Sequence, residues 1–186
     1  FLAYTSVTNG LLPPSGKEYL TNIYSKEKAQ KDINKIKDKV DLIIVSMHWG
    51  EEYVTTPNNS QKQIAKELSD MGVNLVIGNH AHMIEPVEKI NNTLVFYALG
   101  NFIAAQDTND KHTGALVTLN INKDKNGKIT FSNVKANLLY TYFKGSHNFK
   151  VYPYTKLNNS LLNNYETYYN KYKGVLTKYT NIVEVE

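Results

Sequence analysis

The stretch "VNLVIGNHAH", residues 73–82, begins with a short, mainly apolar run that ends at Gly78. Two histidines, His80 and His82, follow this run and are separated by one residue. A continuous apolar run of this length is typical of a strand that is buried on both faces of a parallel sheet. "DLIIVSM" (41–47) has the same character, and His48 follows it directly. Between the two runs, residues 60–71 carry apolar side chains at helical spacing. This strand–helix–strand order predicts two adjacent parallel strands joined by a right-handed crossover.

The chain before this unit predicts one more strand and one more helix. "FLAYTSV" (1–7) is rich in β-forming residues and reads as a strand. Ser25 is expected to cap a helix that runs to about Lys39, with Val40 continuing its apolar stripe.

The chain after this unit predicts antiparallel structure. Turn signals at Asn91-Asn92 and at "DKNG" (124–127) indicate two hairpins, and "NFKVYPY" (148–154) indicates another strand. Leucines and tyrosines at helical spacing from about Lys156 to Lys173 predict a closing amphipathic helix, in which the tyrosines serve packing.

The composition is that of a folded domain without a nucleic-acid-binding face. The 186 residues are 41% hydrophobic and 20% charged, with a formal net charge of +4. Basic and acidic residues alternate, so the positive charge is spread over a solvated surface and no nucleic acid is expected as a partner. The absence of cysteine excludes disulfides and thiolate metal ligands. No apolar run approaches the length of a membrane span, and no signal peptide is recognisable.

Histidines follow both of the apolar runs that are predicted to be adjacent strands. In parallel sheets, ligand sites form beyond the carboxyl ends of the strands, so His48, His80 and His82 are expected at one edge. Glu51 and Glu52, in the loop after His48, add carboxylates that would bind a ligand directly or support the histidines. Three imidazoles with carboxylates nearby favour a divalent zinc, manganese or iron ion over calcium.

One more polar residue is expected at the site, and the site as a whole has an alternative interpretation. Asn101, in "LGNF", ends another apolar run and is expected to join the histidines. The alternative is that the histidines stand in ordinary polar loops, as isolated loop histidines usually do. His112 and His147 lie in polar turns beside lysine and are not assigned to the site, and Trp49 is expected to pack beneath the His48 loop.

Three separated motifs resemble a known family. "DLIIVSMHWGEEY" (41–53), "GVNLVIGNHAHMIEPVEKI" (72–90) and "LVFYALGNFIAAQ" (94–106) are similar, in this order and spacing, to the CapA family of bacterial poly-γ-glutamate capsule biosynthesis proteins. The resemblance covers about residues 1–120. It implies a calcineurin-like metallophosphoesterase fold, an α/β/β/α sandwich of mixed sheets flanked by helices. Residues 1–186 would then be the C-terminal part of a single domain of this kind.

The resemblance also implies roles for particular residues. His48 matches an upstream metal-binding histidine, and His80 and His82 match the final pair of a Gly-His-x-His motif that binds a two-metal centre. Glu52 matches the glutamate of the HWG-x-EY motif, whereas Asn79 stands where many members carry another histidine. The family's Asp-x-His, Gly-Asp and Gly-Asn-His motifs belong upstream of residue 1. The expected partner that completes the site is therefore an N-terminal half of the same protein, or a copy of the chain.

These features lead to three functional expectations. The first is a capsule protein that helps to synthesise, retain or export poly-γ-glutamate. It would act at the extracellular face of the cell membrane, anchored through a segment outside this chain, alongside other capsule-synthesis membrane proteins. The second is a metal-dependent phosphoesterase or amide hydrolase. The third is a module that binds poly-γ-glutamate or another polyanion without turnover. Beyond the candidate ligands, no catalytic residue is assigned.

Overall fold

The computed structural model describes residues 1–145 and 147–186, which form two sheets and three α-helices. The first sheet contains β1 (Leu2–Thr5), β2 (Ile44–His48), β3 (Leu75–Asn79), β4 (Val87–Ile90) and β5 (Thr93–Phe96). The second sheet contains β6 (Thr113–Lys123), β7 (Ile129–Lys144), β8 (His147–Pro153) and β9 (Val183–Val185). The α-helices are α1 (Lys26–Ile36), α2 (Asn59–Asp70) and α3 (Tyr165–Leu176), and short 3-10 turns occupy Glu18–Leu20 and Tyr154–Lys156.

The first sheet is mixed and carries the predicted crossover. Strands β1, β2, β3 and β5 run parallel in that spatial order, and β4 pairs antiparallel with β5 at the far edge. Helix α2 connects β2 to β3, which align Ile44 with Leu75 and His48 with Asn79. The carboxyl ends of these two strands therefore meet at one edge of the sheet, as the sequence predicts.

Capping side chains define the starts of helices α1 and α2. Ser25 accepts a backbone N–H of the first turn of α1, as predicted, and Asn58 and Gln61 form a reciprocal capping box at the start of α2. The prediction that Val40 continues the apolar stripe of α1 is wrong. The helix ends at Ile36, so Val40 lies beyond the turn that follows it and is 45% exposed.

Two apolar clusters cover the two faces of the first sheet. Alternate strand residues point to opposite faces, so Val45 enters one cluster and its neighbour Ile44 the other. The first cluster joins the sheet to α1 and α2; its members include Val45, Met47, Val76, Ala29, Ile33 and Leu68. The second joins the opposite face to the second sheet and α3; its members include Ile44, Leu75, Phe96, Val134, Leu138, Tyr172 and Leu176. The predicted fold class, mixed sheets flanked by helices, is confirmed.

The second sheet is built around the long strand β7. The predicted hairpin at residues 124–127 joins β6 to β7, and β8 pairs antiparallel with the end of β7. Strand β9, which the sequence did not predict, pairs parallel with residues 134–136 of β7. Among the described residues, no helix combines the length and the apolar character that a bilayer span requires.

The predicted closing helix is wrong in its first half. Residues 157–164 form turns, and α3 begins only at Tyr165. Asparagine explains the difference, because its side chain competes with the helix for backbone hydrogen bonds. The Asn158 side chain accepts the backbone N–H of Ser160, and Asn164 adopts a left-handed φ of 55°. Within α3, Tyr172 is fully buried, which confirms a packing role for that tyrosine.

Candidate functional site

The structure brings His48, His80 and His82 together at one edge of the first sheet. His48 is the last residue of β2, and the other two follow the last residue of β3. The ring centroids of His48 and His80 are 4.3 Å apart, and those of His80 and His82 are 6.4 Å apart. The strand-end placement that the sequence predicts is therefore the placement that the structure has.

The Nδ1 atom of His48 is occupied by a hydrogen bond. It lies 3.0 Å from Oγ1 of Thr5, the residue beside it on β1. The single hydroxyl proton of Thr5 points to its nearest acceptor, the carbonyl oxygen of Val7. Thr5 therefore accepts a hydrogen bond from the Nδ1–H group of His48, and in this tautomer the Nε2 lone pair of His48 is free.

Asn101 determines the tautomer of His82 in the same way. The amide nitrogen of Asn101 donates to the carbonyl oxygens of Lys111, at 2.8 Å, and of His82, at 3.3 Å. Its Oδ1 must therefore be the atom that faces Nδ1 of His82, 2.8 Å away, and that nitrogen must donate. The Nε2 lone pair of His82 is free as well. Asn101 thus joins the histidines as predicted, through a hydrogen bond that orients the ring.

His80 differs from the other two histidines in its electrostatics. Desolvation is the main cause that lowers its pKa below the usual value, and the neighbouring His48 lowers it further. The charge of Glu52 acts in the opposite direction. A lowered pKa keeps His80 neutral at neutral pH, which is the form in which imidazole binds a metal.

The remaining predicted polar residues, Asn79, Glu52 and Glu51, make different contacts near the three histidines. Asn79 ends β3 and is exposed, beside His48 in the strand register. Glu52 is exposed and close enough to act on the charge of His80. Glu51 accepts a hydrogen bond from Asn58, so its observed contact is with the cap of α2.

Two further predictions concern aromatic and histidine residues around the site. Trp49 is fully buried, donates its Nε1–H to the carbonyl oxygen of Tyr97 at 2.8 Å and stacks on that ring, so its predicted packing role is confirmed. His112 uses Nε2 to donate to the carbonyl oxygen of Gln106. His147, at the start of β8, is exposed.

The sequence did not single out a buried carboxyl group next to the site. Glu85 is 1% exposed, and its Oε2 accepts a hydrogen bond of 2.6 Å from Nε2 of Gln61. Its Oε1 has no hydrogen-bond partner among the described residues. Burial raises the pKa of Glu85 to about 7. Nothing in "MIEPVEKI" distinguishes this glutamate from Glu88, because the hydrogen-bond partner of Glu85, Gln61, lies 24 residues earlier in the chain.

Tyr53 is a second residue that the sequence analysis passed over. Its ring stacks on that of His82, with centroids 5.9 Å apart and planes 23° apart. The Nζ atom of Lys111 lies 3.8 Å from the centroid of the Tyr53 ring. Both contacts join chain segments that are distant in sequence, so only the fold shows them.

The described side chains do not form a complete metal centre by themselves. In residues 1–145 and 147–186, no group of three or more His, Asp or Glu side chains is placed to hold a metal ion. The chemistry of the side chains still suits a metal ion in part, because the hydrogen bonds at Nδ1 of His48 and His82 leave Nε2 of each ring as the available ligand atom. The cluster of His48, His80 and His82, hereafter the histidine edge, therefore brings three candidate ligands together.

The fold defines a structural class. A mixed sheet packed on a second sheet and flanked by helices is the arrangement of the calcineurin-like α/β sandwich. The chain matches the family described as "Bacterial capsule synthesis protein PGA_cap" over residues 2–106. Because this match covers more than half of the chain, the chain belongs to that family.

Curated relatives agree with the family. The "PGA biosynthesis protein CapA" of Bacillus subtilis (strain 168) is 38% identical over 96 residues, which are 52% of this chain and 25% of the relative. The "Capsule biosynthesis protein CapA" of Bacillus anthracis is 36% identical over 91 residues, 47% of this chain and 22% of the relative. A "Probable polyglutamine synthesis accessory protein" of Mycobacterium tuberculosis is 34% identical over 65 residues, 34% of this chain and 17% of the relative. The chain therefore spans about a quarter, or less, of the length of these relatives.

Proposed function

We propose that this chain is part of a protein that supports poly-γ-glutamate capsule synthesis, retention or export at the bacterial cell surface. The observation that carries the proposal is the family match over residues 2–106, which contains the whole histidine edge. The names of the relatives, a poly-γ-glutamate and a capsule biosynthesis protein, point to the same process. The proposed location is the extracellular face of the membrane, with an anchor supplied outside the described residues and with other capsule-synthesis membrane proteins as neighbours.

The proposed chemistry of the site is metal-assisted hydrolysis or transfer at a phosphate ester or an amide. His48, His80 and His82 would hold a divalent manganese, zinc or iron ion, and further ligands would come from another part of the protein or from a second copy. When bound, the ion would supply Lewis-acid activation. Thr5 and Asn101 fix two of the rings with Nε2 free, and this observation favours a ligand role over an ordinary polar loop.

A chimaera tests the proposed function directly. Residues 2–106 replace the matching segment of the Bacillus subtilis relative in a strain that lacks that relative. We expect the chimaera to restore polymer, because the segment carries the family's histidine motifs at their spacing. The measurement is poly-γ-glutamate recovered from the culture, with the protein level checked by immunoblot. The same chimaera with His82→Ala should make at least about tenfold less polymer.

The controls for the chimaera are Lys31→Ala, which changes an exposed residue of α1 inside the exchanged segment, and the unsubstituted relative in the same strain. A chimaera that is present at normal level and makes no polymer would contradict the proposal. Turnover of a phosphodiester but not of poly-γ-glutamate by the purified chimaera would favour the hydrolase as the protein's main activity.

The His82→Ala substitution carries a second prediction, about metal binding. We expect the melting temperature to stay close to that of the unsubstituted protein, because His82 lies in a loop and is only half-buried. We expect the affinity for Mn²⁺ or Zn²⁺ to fall by about tenfold or more, because one of three imidazole ligands is lost. The measurement is metal content and calorimetric titration of the full-length chimaera. Lys31→Ala in the same chimaera, which removes an exposed side chain of α1, is the control, and equal metal content in the His82→Ala protein would refute the assignment.

A further inference from the structure

The backbone at the histidine edge is strained in an unusual way. Outside glycine, the described residues with positive φ are five asparagines and three larger residues, Tyr53 (φ 68°), His80 (φ 105°) and His82 (φ 56°). Asparagine tolerates this region, whereas a bulky tyrosine adopts it only at a cost. Two of the three larger residues belong to the histidine edge, and the third, Tyr53, stacks on His82. Backbone strain tends to cluster at functional sites.

The strained conformation of Tyr53 is held by the loop that carries the histidines. The backbone N–H of Tyr53 donates to the carbonyl oxygen of Ala81, between His80 and His82, at 2.7 Å. The ring of Tyr53 is not held by the core, because the residue is 46% exposed. What fixes the ring is its stacking on His82 and the ammonium group of Lys111.

These contacts close into a ring of four residues. His82 donates to Asn101, Asn101 donates to the backbone of Lys111, the ammonium of Lys111 lies over Tyr53, and Tyr53 stacks on His82. Lys111 is itself fixed, since its side chain is only 17% exposed and pairs with Asp107 at 2.8 Å. The orientation of the His82 ring is therefore set from two directions, by an amide at Nδ1 and by an aromatic ring against its face.

We propose that Tyr53 is a positioning residue for His82, and that the strain at its backbone is the cost of placing an aromatic ring there. Asparagine or glycine would satisfy the backbone better at position 53, and neither would hold the imidazole. Lys111 acts with Tyr53, because its ammonium group lies over the Tyr53 ring and holds that ring against His82. This inference rests on the proposed function in one respect, because it assumes that His82 acts at the proposed site.

Three variants of the isolated chain test this role. Tyr53→Phe keeps the ring and the strain. Tyr53→Asn removes the ring and suits the positive φ. Asn133→Gly relaxes a positive φ on β7, away from the histidines, and serves as the control for strain. The readouts are thermal melting and long-range 1H–15N spectra of the histidine side chains, which report the tautomer of each ring.

We expect Tyr53→Asn to melt at the same temperature as the unsubstituted chain or higher. Without an aromatic ring against its face, the His82 imidazole can turn away from Oδ1 of Asn101, so its single Nδ1–H tautomer should be lost. Tyr53→Phe and Asn133→Gly should leave the His82 signals unchanged. In a longer chimaera, whose insert runs to residue 113 and so includes Lys111, Tyr53→Asn should lower polymer output by about tenfold, the usual effect of losing a residue that orients a ligand. Tyr53→Phe in the same chimaera should leave the output unchanged.

Each outcome bears on one proposal. Unchanged His82 signals in Tyr53→Asn would overturn the positioning role, whatever the chimaera does. A loss of melting temperature in Tyr53→Asn greater than in Tyr53→Phe would show that the ring serves the fold. If the unsubstituted chimaera makes no polymer, the proposed function fails, and the spectra still decide the role of Tyr53.

Discussion

Gly78→Ala is expected to cost more than about 4 kcal/mol of folding free energy, enough to leave the isolated chain largely unfolded. A Cβ atom at this position would lie 1.9 Å from the carbonyl oxygen of Tyr97 and 2.3 Å from Nε1 of Trp49. Those two atoms form a buried hydrogen bond of 2.8 Å, so the new methyl group would occupy the space of the bond itself. Relief would require moving the backbone beyond β5 or displacing a fully buried tryptophan.

Gly174→Ala is the matched control, because it makes the same change where there is room. Gly174 lies in α3, and no heavy atom is found within 4 Å of its added Cβ. Alanine is the better helix former by about 0.5–1 kcal/mol, so this variant should be slightly more stable. Urea unfolding followed by circular dichroism measures both variants. If Gly78→Ala unfolded at the same urea concentration as the original chain, the close packing of Gly78 against Tyr97 and Trp49 would be contradicted.

Local pattern was sufficient to predict the framework of the fold. The apolar runs at 41–47 and 73–78 became the central parallel strands, and the turn signals at Asn91-Asn92 and 124–127 became hairpins. These signals act over a few residues, so the sequence displays them directly. The missed strand β9 has only three residues, and its pairing partner lies about fifty residues earlier in the chain.

The candidate site was predictable only where it depended on strand ends. The meeting of His48 with His80 follows from two parallel strands in register. The tautomers do not, because they depend on contacts of Thr5 and Asn101 that arise only after folding. Tyr53 and Glu85 were missed for the same reason, and at Tyr53 the local preference even opposes the native backbone.

The second large expected effect is on the pH dependence of stability, and it arises from Glu85. This ionisable side chain is buried without an opposite charge beside it. Burial raises its pKa from 4.5 to about 7, and the charge of Glu51 adds to the rise, whereas the hydrogen bond from Gln61 opposes it. In the unfolded chain the carboxyl group ionises near its ordinary pKa. Between about pH 4.5 and pH 7 the unfolded state has thus released a proton that the folded state keeps, so stability falls as the pH rises through this window.

The carboxyl group of Glu85 also supports the turn that follows His48. Its partner Gln61 fills the space where a Cβ of Gly50 would stand, 2.7 Å away, and caps α2 through Asn58. Glutamine at position 85 keeps an oxygen that accepts from Gln61. Its amide group resembles the protonated carboxyl, since each leaves one buried polar atom without a partner.

Glu85→Gln is therefore expected to match the original chain in stability at pH 4.5 and to exceed it above pH 7 by about 3 kcal/mol, the free energy of a pKa difference of roughly 2.5. The measurement is the urea midpoint at half-unit steps from pH 4.5 to pH 8. Glu166→Gln, which removes an exposed carboxylate from α3, controls for the change in net charge. The difference in stability between Glu85→Gln and the original chain should appear only as the pH rises from about 4.5 to 7. Below this range, Glu85 is protonated in both the folded and the unfolded state of the original chain. Parallel stability curves for the two proteins across this range would show that Glu85 ionises with its ordinary pKa, and that water reaches a carboxyl group which the fold encloses.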